Sequence, residues 1–302
     1  ISDCIEKCNS EVKRIVGHAV TVPTDFQFQL IDFNLFDSDP DWRAVTTGTL
    51  EEKMKNMSDP ELRKPLKEKF NPKHTFIGAM ANNINKLRYG EGDDINVHNK
   101  YEGRIIEEIA ETENKHPIDV FLDISLSENL SSRWVTPPQK IEMEAMSRLA
   151  NHPFSVPGLS DGGAHMKFLT AAIYPTYFLG TLCRDNNVMS LEKAHWKLSA
   201  YPAQVAGIRD RGHLTEGFGA DIVIYDLDEL DYGPMERLQD FPADDWRLVQ
   251  RPKGYKYIIV NGVVTFTDDS KCTGETPGRF LRNGIASAPP VKIAKEHKKD
   301  VA

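Results

Sequence analysis

The feature that most constrains this fold is a change of texture near Gly207. Before it, short apolar runs alternate with helical periodicity; after it, the legible signals are for β-structure. GHLTEGFGADIVIYDL reads as a glycine-rich turn feeding a strand, and YKYIIVNGVVTF reads as a hairpin. Asn261-Gly262 between two β-branched runs is a strong type I′ signal, because that turn needs positive φ at both central residues. A chain that passes from strand–helix alternation to an all-β end is expected to be part of an α/β barrel followed by a small β module.

The earlier part divides by its punctuation. Residues 12–22 are rich in β-branched side chains and stop at Pro23, which predicts a buried strand. A polar and aromatic excursion follows over about 25–100, of the kind inserted over an existing core. Within it, LFDSDPDW predicts a structural turn without calcium-loop spacing. TLEEKMKNMSDPELRKPLKEKF predicts short charged surface helices broken at Pro60 and Pro65. Residues 102–128 carry two amphipathic helices joined at Lys115-His116-Pro117, where the proline suits a first helical position. A third helix runs to about His152, a short strand ends in SDGGAH, and helices cover AAIYPTYFLGTLCRD and SLEKAHWKLSAYPAQVAGI. Ser190 is the expected N-cap of the last. The predicted organisation is barrel strands and helices over 1–206, a β-sandwich segment over 207–285 and a solvated tail over 286–302.

Charge and composition exclude some partners. The net charge is -8, and the single dense basic run, VKIAKEHKKD, sits in the tail, so no nucleic-acid partner is expected. No apolar run approaches the roughly 20 residues of a membrane-spanning helix. Cys4, Cys8, Cys183 and Cys272 lack zinc-site spacing and read as reduced thiols of a cytoplasmic protein. The first residues, ISDCIEKCNSEVKR, have no initiator Met or signal-peptide pattern and read as a helix already under way.

GLSDGGAH, from Gly158 to His165, is the stretch that carries candidate chemistry. At the C-terminal end of a parallel barrel strand, Asp161 would point into an active-site mouth, with two glycines leaving room for a ligand. Such a carboxylate can ligate a hydrolytic metal, take a proton from metal-bound water and pass it to a leaving nitrogen. Taken alone, Asp-Gly-Gly is a surface turn. Gly162 and His165 follow directly, and Asp25 and Gln27 lie on the loop after the 12–22 strand, so these four are candidate substrate-binding residues. His18 reads as a buried strand histidine, His98 and Tyr101 as loop residues near a pocket, and His195 and Trp196 as helix packing.

The order of motifs gives the stretch its context. MSLEKAHWKLSAYPAQVAGIRDRGHLTEGFGADIVIYD, with Pro202, Ala203, Gly207, Gly212, Gly217 and Ala220-Asp221-Ile222-Val223, resembles the C-terminal signature of the amidohydrolase superfamily. YIIVNGVVTFTDDSKCTGETPGRFLR resembles the tail of its N-acyl-D-amino-acid deacylase branch, and YEGRIIEEIAE with HPIDVFLDISLSE the segment ahead of that branch's last barrel strand. The resemblance covers roughly residues 95–282.

It implies the C-terminal portion of a (β/α)8 TIM-like metallohydrolase barrel with part of a small β-sandwich. It also implies a zinc-dependent hydrolase of C–N bonds, using one or two ions and a metal-bound hydroxide. Asp161 would be the metal-associated carboxylate and general base. Two departures accompany it. None of the nine histidines forms the His-x-His of a first barrel strand, and the 12–22 strand would be about the seventh of eight. The expectation is therefore a C-terminal half whose partner, a second chain carrying the N-terminal half, holds the other zinc ligands; a higher homo-oligomer is left open. Further, Ile173-Tyr174-Pro175-Thr176 stands where the branch carries His-Pro-Arg, so the usual carboxylate clamp is missing, with Lys167 and Arg184 as substitutes. The small-molecule substrate thus stays open between an N-acyl-D-amino acid and a cyclic or aryl amide. A non-catalytic structural or regulatory subunit remains the competing reading.

Overall fold

A computed structural model describes residues 2–11, 15–19, 22–23, 26–32, 36–71, 84–137, 142–160, 162, 165–268 and 271–282. The chain opens with α1 (Ser2–Ser10), β1 (Gly17–Ala19) and β2 (Gln27–Phe28). Three short helices follow, α2 (Pro40–Thr46), α3 (Leu50–Ser58) and α4 (Pro60–Glu68). Their ends are written in the sequence. Asp39 accepts the Asp41 and Trp42 N–H groups, Thr49 and Glu52 form a capping box, and Asp59 ends α3 while capping α4. Pro60 therefore separates two helices as expected. Pro65 does not break α4: it lies inside the helix, where it removes one hydrogen bond, to the Glu61 carbonyl, while Leu66 and Arg63 anchor that turn. The Arg63 guanidinium bonds the Met57 carbonyl and both Asp119 and Asp123.

β3 (Arg88–Glu91), α5 (Ile95–Tyr101), α6 (Ile106–Glu113), α7 (Pro117–Ser127) and β4 (Arg133–Val135) come next. Pro117 is the first residue of α7 and His116 caps it, Nδ1 accepting the Ile118 N–H at 3.2 Å, as the spacing predicted. β4 lies between β2 and β3 in an antiparallel sheet, which the sequence analysis did not anticipate. The helices of 102–128 share one apolar core with the excursion. Phe28, Phe36, Trp42, Phe121 and Trp134 meet there, with ring centroids 4.5–6.4 Å apart. Each such fully buried aromatic side chain contributes about 2–3 kcal/mol of burial free energy. The aromatics between Phe26 and Phe36 that lie within the described residues are thus core, not ligand surface.

The chain then returns through α8 (Met143–Asn151) to β5 (Ser155–Pro157). β5 pairs with β1 in parallel, Gly17 against Ser155 and Ala19 against Pro157, across more than a hundred residues of excursion. Among the described residues these two strands pair only with each other. α9 (Tyr174–Tyr177) runs on as a π-helical stretch to Asp185, and α10 (Leu191–His195) through Trp196–Ala200 into α11 (Tyr201–Val205). Ser190 caps α10 by accepting the Lys193 N–H. These helices and Val22, Phe26 and Leu169 form a second core.

The last part is β6 (Ile222–Tyr225), β7 (Asp231–Phe241), β8 (Asp245–Lys253), β9 (Tyr255–Val260), β10 (Val263–Thr267) and β11 (Lys271–Cys272). β6, β9, β10 and β11 make one antiparallel sheet, and Asn261 (φ 47°) and Gly262 (φ 81°) take the expected turn. The β7–β8 hairpin is a separate two-stranded sheet that sequence reasoning passed over. Pro234, Pro242 and Pro252 disguise it; they are tolerated because each strand of a two-stranded ribbon is an edge. No helix among the described residues is long and apolar enough to cross a membrane.

Candidate active site

The β1–β5 pair has two unlike faces. Ala19, Ser155 and Pro157 are buried, and Ser155 Oγ donates to the Leu149 carbonyl at 2.6 Å. Behind them stands Lys197, fully buried, whose Nζ donates to the carbonyls of His152 (2.5 Å) and Ser155 (2.7 Å). Burial pushes the Lys197 ammonium down to about 8. The helical layer therefore lies on this side. His18, opposite Val156 in register, points the other way and is exposed. The expectation of a buried strand histidine fails here because period-two alternation puts Ala19, not His18, on the helix-covered face. Gly158, the first residue past β5, has φ +129° and lies under the His18 ring; a Cβ there would stand 2.5 Å from Nε2. Glycine at this point lets the chain turn beneath the imidazole.

Beyond Gly158 the backbone passes Leu159 and Ser160; Asp161 lies outside the described residues, as does Asp25. Gly162 is exposed and its N–H donates to Ser160 Oγ at 3.3 Å. His165 is half-buried, its carbonyl accepting the N–H groups of Phe168 and Leu169 and its ring 4.7 Å from that of Phe168. The Ala171 N–H bonds the Ser160 carbonyl, closing the loop, and the Gln27 N–H bonds the Phe168 carbonyl at 2.7 Å. Phe26 stacks on Phe168 with centroids 6.0 Å apart. The fold thus sets Gln27, which stands in β2 rather than on the expected loop, against the segment that carries Gly162 and His165 after β5.

The other candidates lie elsewhere. Tyr101 is buried and bonds Glu113, and His98 faces Glu102 and the Tyr89 ring, inside the excursion's own core. Arg184 bonds the carbonyls of Leu227 and Leu230 and cannot serve as a substrate clamp. His195 and Trp196 are exposed and line a cavity of about 740 Å³ with Leu198, His213, Tyr225 and Tyr255, and His195 Nε2 is 2.7 Å from the Tyr225 hydroxyl. None of that cavity's lining belongs to residues 155–168.

A hairpin without a sequence signature overhangs the loop. The Leu248 N–H of β8 bonds the Met166 carbonyl at 2.7 Å, so the unpredicted hairpin lies against the segment that follows GLSDGGAH. Lys167 pairs with Asp245 at 2.8 Å. Arg133 of β4 reaches the Gln27 side-chain oxygen at 3.4 Å. Lys167 was named as a substitute clamp, and its ammonium is paired with Asp245; no motif marks Arg133 or the hairpin, which reach this place only through tertiary packing.

Among the described residues no three His, Cys, Asp or Glu side chains converge as a metal site would require. The described residues do not by themselves fit a zinc ion.

Comparison with known proteins adds a family. The model of the amidohydrolase family matches residues 81–266, more than half of the chain. An N-acyl-D-glutamate deacylase of Alcaligenes xylosoxydans xylosoxydans is 34% identical over 117 residues, 38% of this chain and 22% of that protein. An uncharacterized protein of Mycobacterium tuberculosis is 30% identical over 206 residues, 62% of this chain and 33% of that one. The matched part thus spans between about a fifth and a third of these relatives' lengths. Among solved structures, an N-acyl-D-glutamate deacylase from Bordetella bronchiseptica, complexed with zinc and a phosphonate inhibitor, aligns with 89% of this chain and 43% of its own, at 16% identity and TM-score 0.45.

Proposed function

Because the chain belongs to the amidohydrolase family, in its D-aminoacylase-like branch, we propose that it is the C-terminal part of a metal-dependent hydrolase that cleaves an amide-type C–N bond. The observation that carries the reading is the parallel β1–β5 pair, one face covered by helices and the other open, ending in the loop that contains Asp161. In this reading β1 and β5 are the last two strands of a (β/α)8 barrel. The sheet of β6, β9, β10 and β11 is part of a flanking β-sandwich that follows a barrel portion over 1–206.

Asp161 is the general base and the metal-associated carboxylate. Because none of the nine histidines forms His-x-His, we assign the other ligands to a complementary N-terminal segment, as a second chain or a cleavage product. What this chain's own residues do is limited and concrete. Gly158 and Gly162 add no side chains of their own beside Asp161, His165 and Gln27 stand next to it, and Asp161 moves a proton between water and the leaving nitrogen. Free cysteines at Cys4, Cys8, Cys183 and Cys272 support a reducing, cytoplasmic setting.

The test is release of a primary amine from N-acyl substrates by the protein assembled with its complement. Amine release that stops with a chelator and returns with zinc is expected. Release that ignores the chelator would remove the metal from the account.

A further inference from the structure

The stretch that leads to Asp161 leaves β5 through one residue, Gly158, and the His18 ring lies on that residue. Gly158 has φ +129°, a region that residues with side chains rarely enter. A Cβ there would stand 2.5 Å from His18 Nε2 and 3.2 Å from Cε1, so the ring edge packs against the glycine itself. Glycine makes this turn without strain, but glycine is also the residue with the most alternatives to it. A catalytic loop rooted in an unconstrained glycine has no fixed direction. The imidazole removes that freedom from one side.

His18 is itself held from behind. Its backbone is fixed in β1, whose Gly17, His18 and Ala19 pair in register with Ser155, Val156 and Pro157. The Gly17 N–H donates to the Phe154 carbonyl at 2.7 Å. On the helix side Ile5 of α1 lies on Gly17, where a Cβ would stand 2.8 Å from Ile5 Cδ1. Glu6 of α1 faces His152 Nε2 at 3.3 Å, and His152 Nδ1 accepts the Phe154 N–H at 3.2 Å. Helix, strand and ring thus form one continuous support that ends on Gly158. Two residues further on, the Ser160 carbonyl accepts the Ala171 N–H at 3.2 Å. The stretch from Gly158 to Ser160, which leads into Asp161, is therefore bounded at both ends.

Resting on the hydrolase reading above, we infer that His18 is a positioning residue for the general base: its ring holds Gly158 in one conformation and so fixes the direction in which the chain enters Asp161. The role is steric. It needs a side chain long enough to reach Gly158, and it does not need the imidazole proton. A misplacement of about 1 Å in a reacting constellation costs about a hundredfold in rate, which sets the scale of the effect.

The test compares His18→Ala, His18→Asn and His18→Gln in the full chain assembled with its complement. Glutamine reaches about as far as Nε2, whereas asparagine and alanine stop short of Gly158. Amide exchange at Leu159 and Ser160 reads the loop without turnover, and steady-state kinetics read the base. In His18→Ala and His18→Asn, exchange at these two amides should quicken about tenfold at unchanged melting temperature. In the same variants kcat should fall about a hundredfold, with KM within about twofold of the wild type. His18→Gln should restore both, with the wild-type pH profile of kcat. Exchange or kcat that ignores His18→Ala overturns the inference, as does a raised KM at unchanged kcat, which would make His18 a substrate contact. A glutamine variant as slow as alanine, or one that loses a limb of the pH profile, overturns it too, because the imidazole would then have a proton of its own to move. If His18→Ala fails to fold, glutamine against asparagine carries the same comparison. The two readings fail separately: an exchange response without amide hydrolysis refutes the hydrolase reading, and hydrolysis indifferent to His18 refutes the positioning.

Discussion

The C-terminal signature region and the loop around Asp161 are opposites in how they satisfy their polar groups. In the signature region the charged groups are held in pairs. Arg211, 6% exposed, pairs with Asp221 at 2.7 Å and donates to Asn261 Oδ1 at 2.7 Å. Asp221 in turn accepts the Asn261 N–H, and Asn261 donates to the Pro277 carbonyl. Arg-Gly, Ala-Asp-Ile-Val, Asn-Gly and Pro-Gly, read separately in the sequence, are thus one clamp that fastens four segments. At the loop the reverse holds: His18 and Gly162 are both exposed. The lesson is that the motifs which identify the family here hold the β module together, while the chemistry sits where motifs are thin.

That division can be broken or sharpened by substitution. Asp161→Asn should lower turnover of the assembled protein about a thousandfold at unchanged melting temperature, the loss typical of a missing general base. Arg211→Met should do the converse. It leaves Asp221 and Asn261 without their partner and should cost about 2 kcal/mol in urea unfolding, with turnover per folded molecule unchanged. Asp221 is partly exposed, which keeps the cost below that of a fully buried pair. If Arg211→Met instead abolished turnover in folded protein, the clamp would not be merely structural.

Lys197 probes the boundary between the two regions, since it ties the root of β5 to the helices. Its ammonium is lowered to about 8 in the fold against 10.5 as the ordinary value. Between those pH values the unfolded chain binds more protons than the folded one, so stability rises with pH from about 8 to about 10.5. Below pH 8 the burial cost is fully present. Chemical denaturation across that window should show this slope, and Lys197→Met should flatten it while removing two hydrogen bonds to carbonyls, about 1–2 kcal/mol. Gly158→Ala should give an effect of similar size, about 1–2 kcal/mol, from positive φ and contact with His18. His18→Ala in the same protein should relieve the contact but not the backbone strain, which a double-mutant cycle resolves.

Legibility in the sequence followed the same division. The helix starts at Pro60, at Pro117 and after Ser190 were readable because Asp59, His116 and Ser190 act locally, within one turn. The Asn261-Gly262 hairpin was readable for the same reason. The β2–β4–β3 sheet and the β7–β8 hairpin were not. Their strands are short or interrupted by proline, and their pairing joins residues as far apart as Gln27 and Val135. Pro65 misled because a proline rule for helix interiors ignores how few bonds a nine-residue helix has to lose. Of the site, Gly162 and His165 were named from their place after Asp161 and Gln27 from its place after the first strand, whereas Arg133 and the β7–β8 hairpin needed the tertiary fold to be seen beside them.

The central claim is that this chain supplies the base of a hydrolase whose metal ligands lie elsewhere. The direct measurement is zinc content and amine release for the 302-residue chain alone and after assembly with the complementary N-terminal segment. The account predicts little bound zinc and no turnover for the chain alone, and both after assembly. Stoichiometric zinc and full activity in the isolated chain would contradict it.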